Sequence, residues 1–482
     1  TGRLGFGLNV DRRNWISVQK ACMHSKITHS ARLDVHPARD AAALAVARAF
    51  DGRNLEPIAV DPAGLEARDA ALAQAIARTV ARRWLTLNFI IDRCLDKPRI
   101  EPALRSLLAT AAAQLLFMHN QPAHAVVDIT VEQAKQLVRP GAAGLANAVL
   151  RRVPEMIVER RPDTPWEPAN NTIPLGAGEG TARLLRKAML KPRRLDRYLS
   201  IATSHDQNLV AAWLERHGQD QAIALLLRSL VEPPTLVHAP APGSGGGGGR
   251  ASGPGSANPG QPHEQPPFIV WDRSHAELVA FLEASPDRWV QDPSAYRVVR
   301  RIAELRSPPE LIVDYCAGRG TKTRALSCLL PEVTIIATDP DAARFADLVA
   351  MAEKQAGVQA VSPDGLGQWA GHADLLLLDV PCSNTGVLAR RPEARYRYSR
   401  RNMESVVELQ RTIIREAAPL LRPGGTLVYS TCSIEPPENQ HQAAWAADQL
   451  GMDLIADEQM LPAGRGASYH DGAYHAILTR RA

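Results

Sequence analysis

Cys382, in Asp379-Val380-Pro381-Cys382, and Cys432, in Ser430-Thr431-Cys432-Ser433, each follow an apolar, strand-like run. A thiol among polar, turn-forming neighbours at a strand end is placed for reactivity more than for packing. Two such thiols in one cleft suit covalent attack on a pyrimidine ring. Carbon 5 of cytosine is a poor nucleophile, and a thiolate that first adds to carbon 6 turns the ring into an enamine able to attack a sulfonium methyl group. A hydrogen must then leave carbon 5 before the thiolate is expelled, and a second group beside the ring can assist that release. Cys94 and Cys328 read as buried small hydrophobes. The six cysteines form no metal-type pairs, and His119 and His124 flank a turn without partners at ligand spacing, so no metal is expected.

The elements that must carry these thiols are short aliphatic runs alternating with helical patterns: Leu311–Tyr315, Thr334–Thr338, Gln359–Val361, Leu375–Asp379 and Thr426–Ser430. Alternation of this kind predicts a doubly wound, parallel sheet. The first run opens into Cys316-Ala317-Gly318-Arg319-Gly320-Thr321-Lys322, a tight strand-to-helix turn whose glycines let a ligand approach the backbone. The second run ends in Asp339, where a carboxylate can accept both ribose hydroxyls of a nucleoside cofactor; Asp364 follows the third and Asp379 the fourth. Ligands of such sheets bind outside the carboxyl ends of the strands, and all these residues gather at that edge. Lys322 is one of only eight lysines and opens a helix, where the dipole opposes it unless an anion such as Asp379 or a phosphate stands nearby.

The chain has 482 residues, 45% of them hydrophobic, and a formal charge of +5, which predicts two or three domains and permits a nucleic-acid partner. No signal-peptide pattern or membrane-length apolar run occurs, and scattered cysteines suit a reducing cytoplasm. Ala- and Leu-rich stretches at helical spacing, Pro37–Phe50, Arg68–Leu95, Glu101–His119, His124–Leu137 and Gly144–Arg152, predict an all-helical first half. The Gly/Pro/Ser-rich stretch 239–267 reads as a flexible linker. The expected organisation is an extension or misplaced start over 1–30, a helical domain over 31–160, a helical connecting region over 161–238, the linker, and the sheet domain over 268–482.

The two thiol segments, Leu378-Asp379-Val380-Pro381-Cys382-Ser383-Asn384-Thr385-Gly386-Val387 and Leu427 to Asn439 around Ser430-Thr431-Cys432-Ser433-Ile434-Glu435, resemble the RNA cytosine-C5 methyltransferases, within them the bacterial Sun/Fmu (RsmB-type) enzymes. Val290-Gln291-Asp292-Pro293-Ser294 resembles the lead-in to that catalytic domain, Leu145 to Arg151 the end of its NusB-like RNA-binding domain, and Asp471 to Leu478 its closing strand. The resemblance implies an α/β Rossmann-type class I methyltransferase domain preceded by an all-α NusB-like domain. It also implies S-adenosylmethionine as cofactor, 16S rRNA as substrate, and no membrane partner; a monomer is expected. It makes Cys432 the nucleophile and Cys382 the aid to product release. Asp379 holds the cytosine edge, Asp339 the ribose of the cofactor, Asp364 its adenine end, and Cys316 to Lys322 its methionine portion. DNA cytosine-C5 methyltransferases use the Pro-Cys cysteine and lack the Thr-Cys one, so Cys432 argues for RNA. The family usually has Cys-Ala-Ala-Pro-Gly-Gly-Lys where this chain has Cys316 to Lys322, and the sequence does not explain Arg319.

Arg390, Arg391, Arg395, Arg397, Arg400 and Arg401, with Tyr396 and Tyr398 between them, are expected to hold RNA by phosphate contact and base stacking. Three alternatives stay open: an amino-group methyltransferase, against which Val380-Pro381-Cys382 speaks; a binding protein of ribosome assembly; and an enzyme acting on another RNA such as tRNA.

Overall fold

The computed structural model describes residues 36–50, 58–97, 99–118, 122–177, 179–185, 194–240 and 259–481; the extension over 1–30 lies outside them. Two compact units divide the described chain. One takes residues 36–232 and Leu388–Ser399, the other Pro233–Val387 and Arg400–Ala482.

The first unit begins with helices α1 Pro37–Phe50, α2 Ala67–Cys94, α3 Pro102–Phe117, α4 Ala123–Gln133 and α5 Ala142–Arg152, close to the expected spans. Proline at the first position of α3 costs no hydrogen bond, because that N–H has no intrahelical acceptor. The helix buries Leu104, Leu107, Leu108, Ala111 and Ala112, and its alanines let neighbouring helices approach closely.

The connecting region expected to be helical over 161–238 is helical only in its second part, and strands occupy 157–184. Strands β1 Ile157–Arg161, β2 Thr172–Pro174 and β3 Thr181–Leu184 form an antiparallel sheet in the order β1-β3-β2 before helices α6 Leu195–Thr203 and α7 Gln207–Arg228. The strands are too short to carry a readable alternation, and part of their support is remote. The buried Arg83 of α2 donates to the carbonyls of Pro174 and Leu175, each at 2.9 Å.

The second unit starts with β4 Thr235–His238, β5 Gln261–Pro262, β6 Phe268–Trp271 and β7 Trp289–Val290, in the order β5-β6-β4-β7. β4 pairs antiparallel with β6, Thr235 opposite Trp271 and His238 opposite Phe268. The Gly/Pro/Ser-rich stretch expected to separate two domains therefore connects neighbouring strands of one sheet, and the units change at Glu232 and Pro233 instead. Its residues 241–258 lie outside the described residues.

The main sheet has seven strands: β8 Leu311–Asp314, β9 Thr334–Ala337, β10 Val358–Ala360, β11 Ala373–Asp379, β12 Leu421–Thr431, β13 Met452–Met460 and β14 Ala473–Arg480. Their order is β10-β9-β8-β11-β12-β14-β13; the first five are parallel, β14 is antiparallel to β12, and β13 to β14. β11 is apolar at consecutive positions because both faces are covered. Leu376 and Leu378 pack with Ile413 and Ile414 of helix α12 (Arg400–Ala417) and Ala443 of α13 (Gln440–Leu450). Leu375 and Leu377 pack on the other face with Val298 and Val299 of α9 (Pro293–Ala303) and Leu326 of α10 (Thr321–Leu329). The direction of winding reverses between β8 and β11, which opens a crevice at their carboxyl ends.

Candidate active site

Three strand ends shape that crevice. After β8 the chain turns at Gly318 (φ +60°) and Gly320 (φ +81°) into α10. The turn hangs between its neighbours: Tyr315 N–H donates to the Leu377 carbonyl at 3.0 Å and Ala317 N–H to that of Thr338 at 2.9 Å. Asp339, 3% exposed at the end of β9, accepts from the amides of Gly318 at 3.0 Å and Asp341 at 2.9 Å. Arg319 pairs with Asp347 at 3.2 Å on the exposed side, which accounts for a charged residue at that point of the turn. Asp364 is exposed on the 3-10 turn Pro363–Trp369 after β10, at the same edge.

Buried chemistry lies beneath the turn. Asp314 is fully buried, accepts from the Thr323 hydroxyl at 2.7 Å, and leaves Oδ1 without a partner. Burial raises its pKa to about 7, with Asp379 and Asp339 adding to the rise. The Cys316 thiol is pushed well up by burial and by Asp314, Asp339 and Asp379, so it stays neutral. Lys322 Nζ donates to Asp379 Oδ2 at 2.6 Å. Burial lowers the pKa of the ammonium, but the charge and hydrogen bond of Asp379 outweigh it and leave the pKa raised.

The structure brings the two thiols together: Cys382 Sγ lies 3.1 Å from Cys432 Sγ. Cys432 Sγ also lies 3.3 Å from Asn384 Oδ1, the acceptor for its S–H. Cys382 is then the donor between the sulfurs, and this hydrogen bond, followed by burial, pushes its pKa well up. Asn384 adopts φ +62°, a conformation asparagine tolerates better than most residues, and its amide donates to the Cys382 carbonyl at 2.9 Å. Gly386 lies where the loops meet: its N–H reaches the Cys432 carbonyl at 3.0 Å, and a Cβ there would stand 2.6 Å from that oxygen. The sequence reading passed over Asn384, Gly386, Ser383, Ser433 and Glu438, although all lie in the two motif segments it singled out.

The arginine-rich segment divides. Arg395 is fully buried in the first unit, donating to the carbonyls of Arg82 at 3.2 Å, Ser229 at 2.9 Å and Leu388 at 3.2 Å. Tyr396 donates to the Ala81 carbonyl at 2.6 Å. Arg395 is an interior anchor and the half-buried Tyr396 is tied to the same helix, which corrects the expectation that they hold RNA; Arg391, Arg400 and Arg401 remain exposed. Among the described residues no group of three His, Cys, Asp or Glu is arranged to hold a metal ion, and no helix is long and apolar enough to cross a membrane.

Residues 305–454 match the 16S rRNA methyltransferase RsmB/F family and residues 36–155 the NusB family. The sheet region is thus similar to RsmB/F methyltransferases and the helical region to NusB proteins. Ribosomal RNA small subunit methyltransferase B of Shigella flexneri is 28% identical over 442 residues, 86% of this chain and 91% of that protein. The protein of that name from Escherichia coli (strain SMS-3-5 / SECEC) is 28% identical over 436 residues, with the same shares covered. The crystal structure of PH0851 shares the fold: it covers 92% of this chain and 98% of its own with a TM-score of 0.65 at 17% identity. An RsmB/F methyltransferase takes its methyl group from S-adenosylmethionine, and the crevice fits such a donor. The carboxylate of Asp339 is fixed by two amides, and the space where Gly318 would carry a Cβ is open to 4 Å.

Proposed function

We propose that this chain is an S-adenosylmethionine-dependent RNA cytosine-C5 methyltransferase acting on 16S rRNA through a covalent Cys432 adduct. The observation that carries the reading is the 3.1 Å contact between the Cys382 and Cys432 sulfurs beside the Lys322–Asp379 pair. S-adenosylmethionine supplies an electrophilic methyl group on its sulfonium sulfur. Asp339 holds the ribose, Asp364 the adenine end, and the Cys316 to Lys322 turn the methionine portion. Asp379, oriented by Lys322, accepts from the cytosine edge, and Cys432 adds to carbon 6.

Once carbon 5 has taken the methyl group, releasing S-adenosylhomocysteine, and has passed its proton to solvent water, the bond between Cys432 and carbon 6 breaks and its electron pair returns to that sulfur. A neutral thiol donating to the same atom favours its departure, because a better stabilised thiolate leaves faster. Cys382 is such a donor, since its hydrogen bond to Cys432 and its burial keep it protonated. The NusB-family unit and the exposed arginines Arg391, Arg400 and Arg401 supply RNA contacts in this reading, and the cytoplasm is its compartment.

Incubating the protein with labelled S-adenosylmethionine and unmethylated 16S rRNA tests the proposal. The expected result is 5-methylcytosine with wild type and a loss of at least a thousandfold in Cys432→Ala. Label in tRNA but not 16S rRNA would move the substrate. No transfer to any RNA, or full activity in Cys432→Ala, would remove the mechanism.

A further inference from the structure

Glu438, six residues after the proposed nucleophile, has a fully buried carboxylate on the 3-10 turn Pro436–Glu438. Its four hydrogen-bond donors are neutral, and three come from the residues that directly follow the two cysteines. Oε1 accepts from the Ser383 amide at 2.7 Å and from Gln410 Nε2 at 3.3 Å. Oε2 accepts from the Ser383 hydroxyl and from the Ser433 hydroxyl, the latter at 2.7 Å. Gln410 also donates to the carbonyl of Pro381, just before Cys382, at 3.0 Å. The turn itself is held by the Tyr429 hydroxyl, which donates to the Glu438 carbonyl at 2.7 Å.

A buried carboxylate without a cation is costly, and packing alone would be served as well by an apolar side chain. Neutral donors convert that cost into geometry, because each must keep its position for the charge to remain satisfied. Here the donors are Ser383 and Ser433, so the constraint falls on the two loops that carry the thiols. Thr385 adds a second tie between them, with its hydroxyl 3.1 Å from Ser433 Oγ and accepting from the Ile434 amide at 3.1 Å.

We propose that Glu438 is a positioning residue that fixes the Cys382 and Cys432 sulfurs against each other, through Ser383 and Ser433, without touching the substrate. The inference rests on the two-cysteine reading for its catalytic meaning, but the geometric claim can be measured without catalysis. Diamide oxidises two adjacent thiols to a disulfide; the two hydrogens and two electrons pass to its N=N bond, and the rate follows how closely the sulfurs are held.

The experiment treats full-length protein with diamide at fixed pH, without RNA or methyl donor, and follows the Cys382–Cys432 disulfide by mass spectrometry. Glu438→Gln keeps the size and one acceptor oxygen but turns a donor toward the two hydroxyls. It is expected to slow crosslinking at least tenfold, while alkylation of Cys328 and the melting temperature stay near wild type. Ser383→Ala and Ser433→Ala, each removing one tie, are expected to slow it at least threefold and decide the matter if Glu438→Gln does not fold. In methyl transfer the same variants lower kcat and leave the KM for RNA unchanged. Wild-type crosslinking rates in the variants that fold would overturn the inference. Slowed crosslinking in a protein that transfers no methyl group would uphold the positioning and overturn only the functional reading.

Discussion

Lys322 is a cation at a helix start, where the dipole disfavours it, and it stays charged because Asp379 is 2.6 Å away. Lys322→Met would leave a carboxylate without its cation; because the Asp379 side chain is a third exposed, water offsets part of the loss. The expected destabilisation is about 2 kcal/mol, below the 3–5 kcal/mol of a fully buried pair, with methyl transfer reduced at least a hundredfold; chemical denaturation and the transfer assay measure the two effects. Asp314 predicts a pH dependence. Its folded pKa of about 7 exceeds the ordinary 3.8, so between these values the folded state holds a proton that the unfolded state has lost. Stability therefore falls as pH rises from about 4 to about 7, by at most about 1.4 kcal/mol per unit from this group, and levels off above. Asp314→Asn should flatten that slope in denaturation curves from pH 5 to 8; an unchanged slope would contradict the assignment. Asp339, Asp379, Cys382 and Cys432 could be read in the sequence because each ends or follows an aliphatic run. Glu438 and Arg395 could not, because their partners lie in loops and helices whose proximity no local pattern encodes.

The turn between β8 and α10 leaves little room at one of its glycines. Gly320 has φ +81°, and a Cβ there would stand 2.2 Å from Met351 Cε and 2.9 Å from Leu348 Cδ1. Gly320→Ala is expected to cost about 2–3 kcal/mol from strain and displaced side chains, and to weaken S-adenosylmethionine binding at least tenfold by calorimetry. Gly318→Ala has the same kind of strain but open space, so its cost should be nearer 1 kcal/mol. The strands β8, β9 and β11 were legible because aliphatic runs buried on both faces can hardly be anything else at that length. β1 to β3 were not: β1 and β3 carry Glu159, Arg160, Arg161 and Arg183 where β8 and β9 carry aliphatic residues, and the sheet takes donors from Arg83, about ninety positions earlier in the chain.

At the scale of the molecule, the low-complexity stretch was legible as a break but not as to what it separates. Its strand flanks, Thr235–His238 and Phe268–Trp271, are four residues each, and their pairing places the stretch inside the methyltransferase unit. Replacing residues 242–257 by a short Gly/Ser loop should therefore preserve methyl transfer within about twofold and raise stability by up to about 1 kcal/mol through a smaller closure entropy. Melting curves and the transfer assay would check both; a collapse of the fold would mean that the stretch does more than connect β4 to β5. The NusB-family unit lends itself to a separate measurement: RNA affinity should fall steeply with added salt if its contacts are mainly to phosphates.

The proposed mechanism turns on a covalent bond between Cys432 and RNA whose release Cys382 assists. Incubating Cys382→Ala with S-adenosylmethionine and 16S rRNA, then separating the products under denaturing conditions, tests it most directly. The expected result is an accumulating protein–RNA complex, linked at Cys432 and absent from Cys432→Ala and from the Cys382→Ala/Cys432→Ala double variant. Rapid turnover by Cys382→Ala with no trapped complex would contradict it.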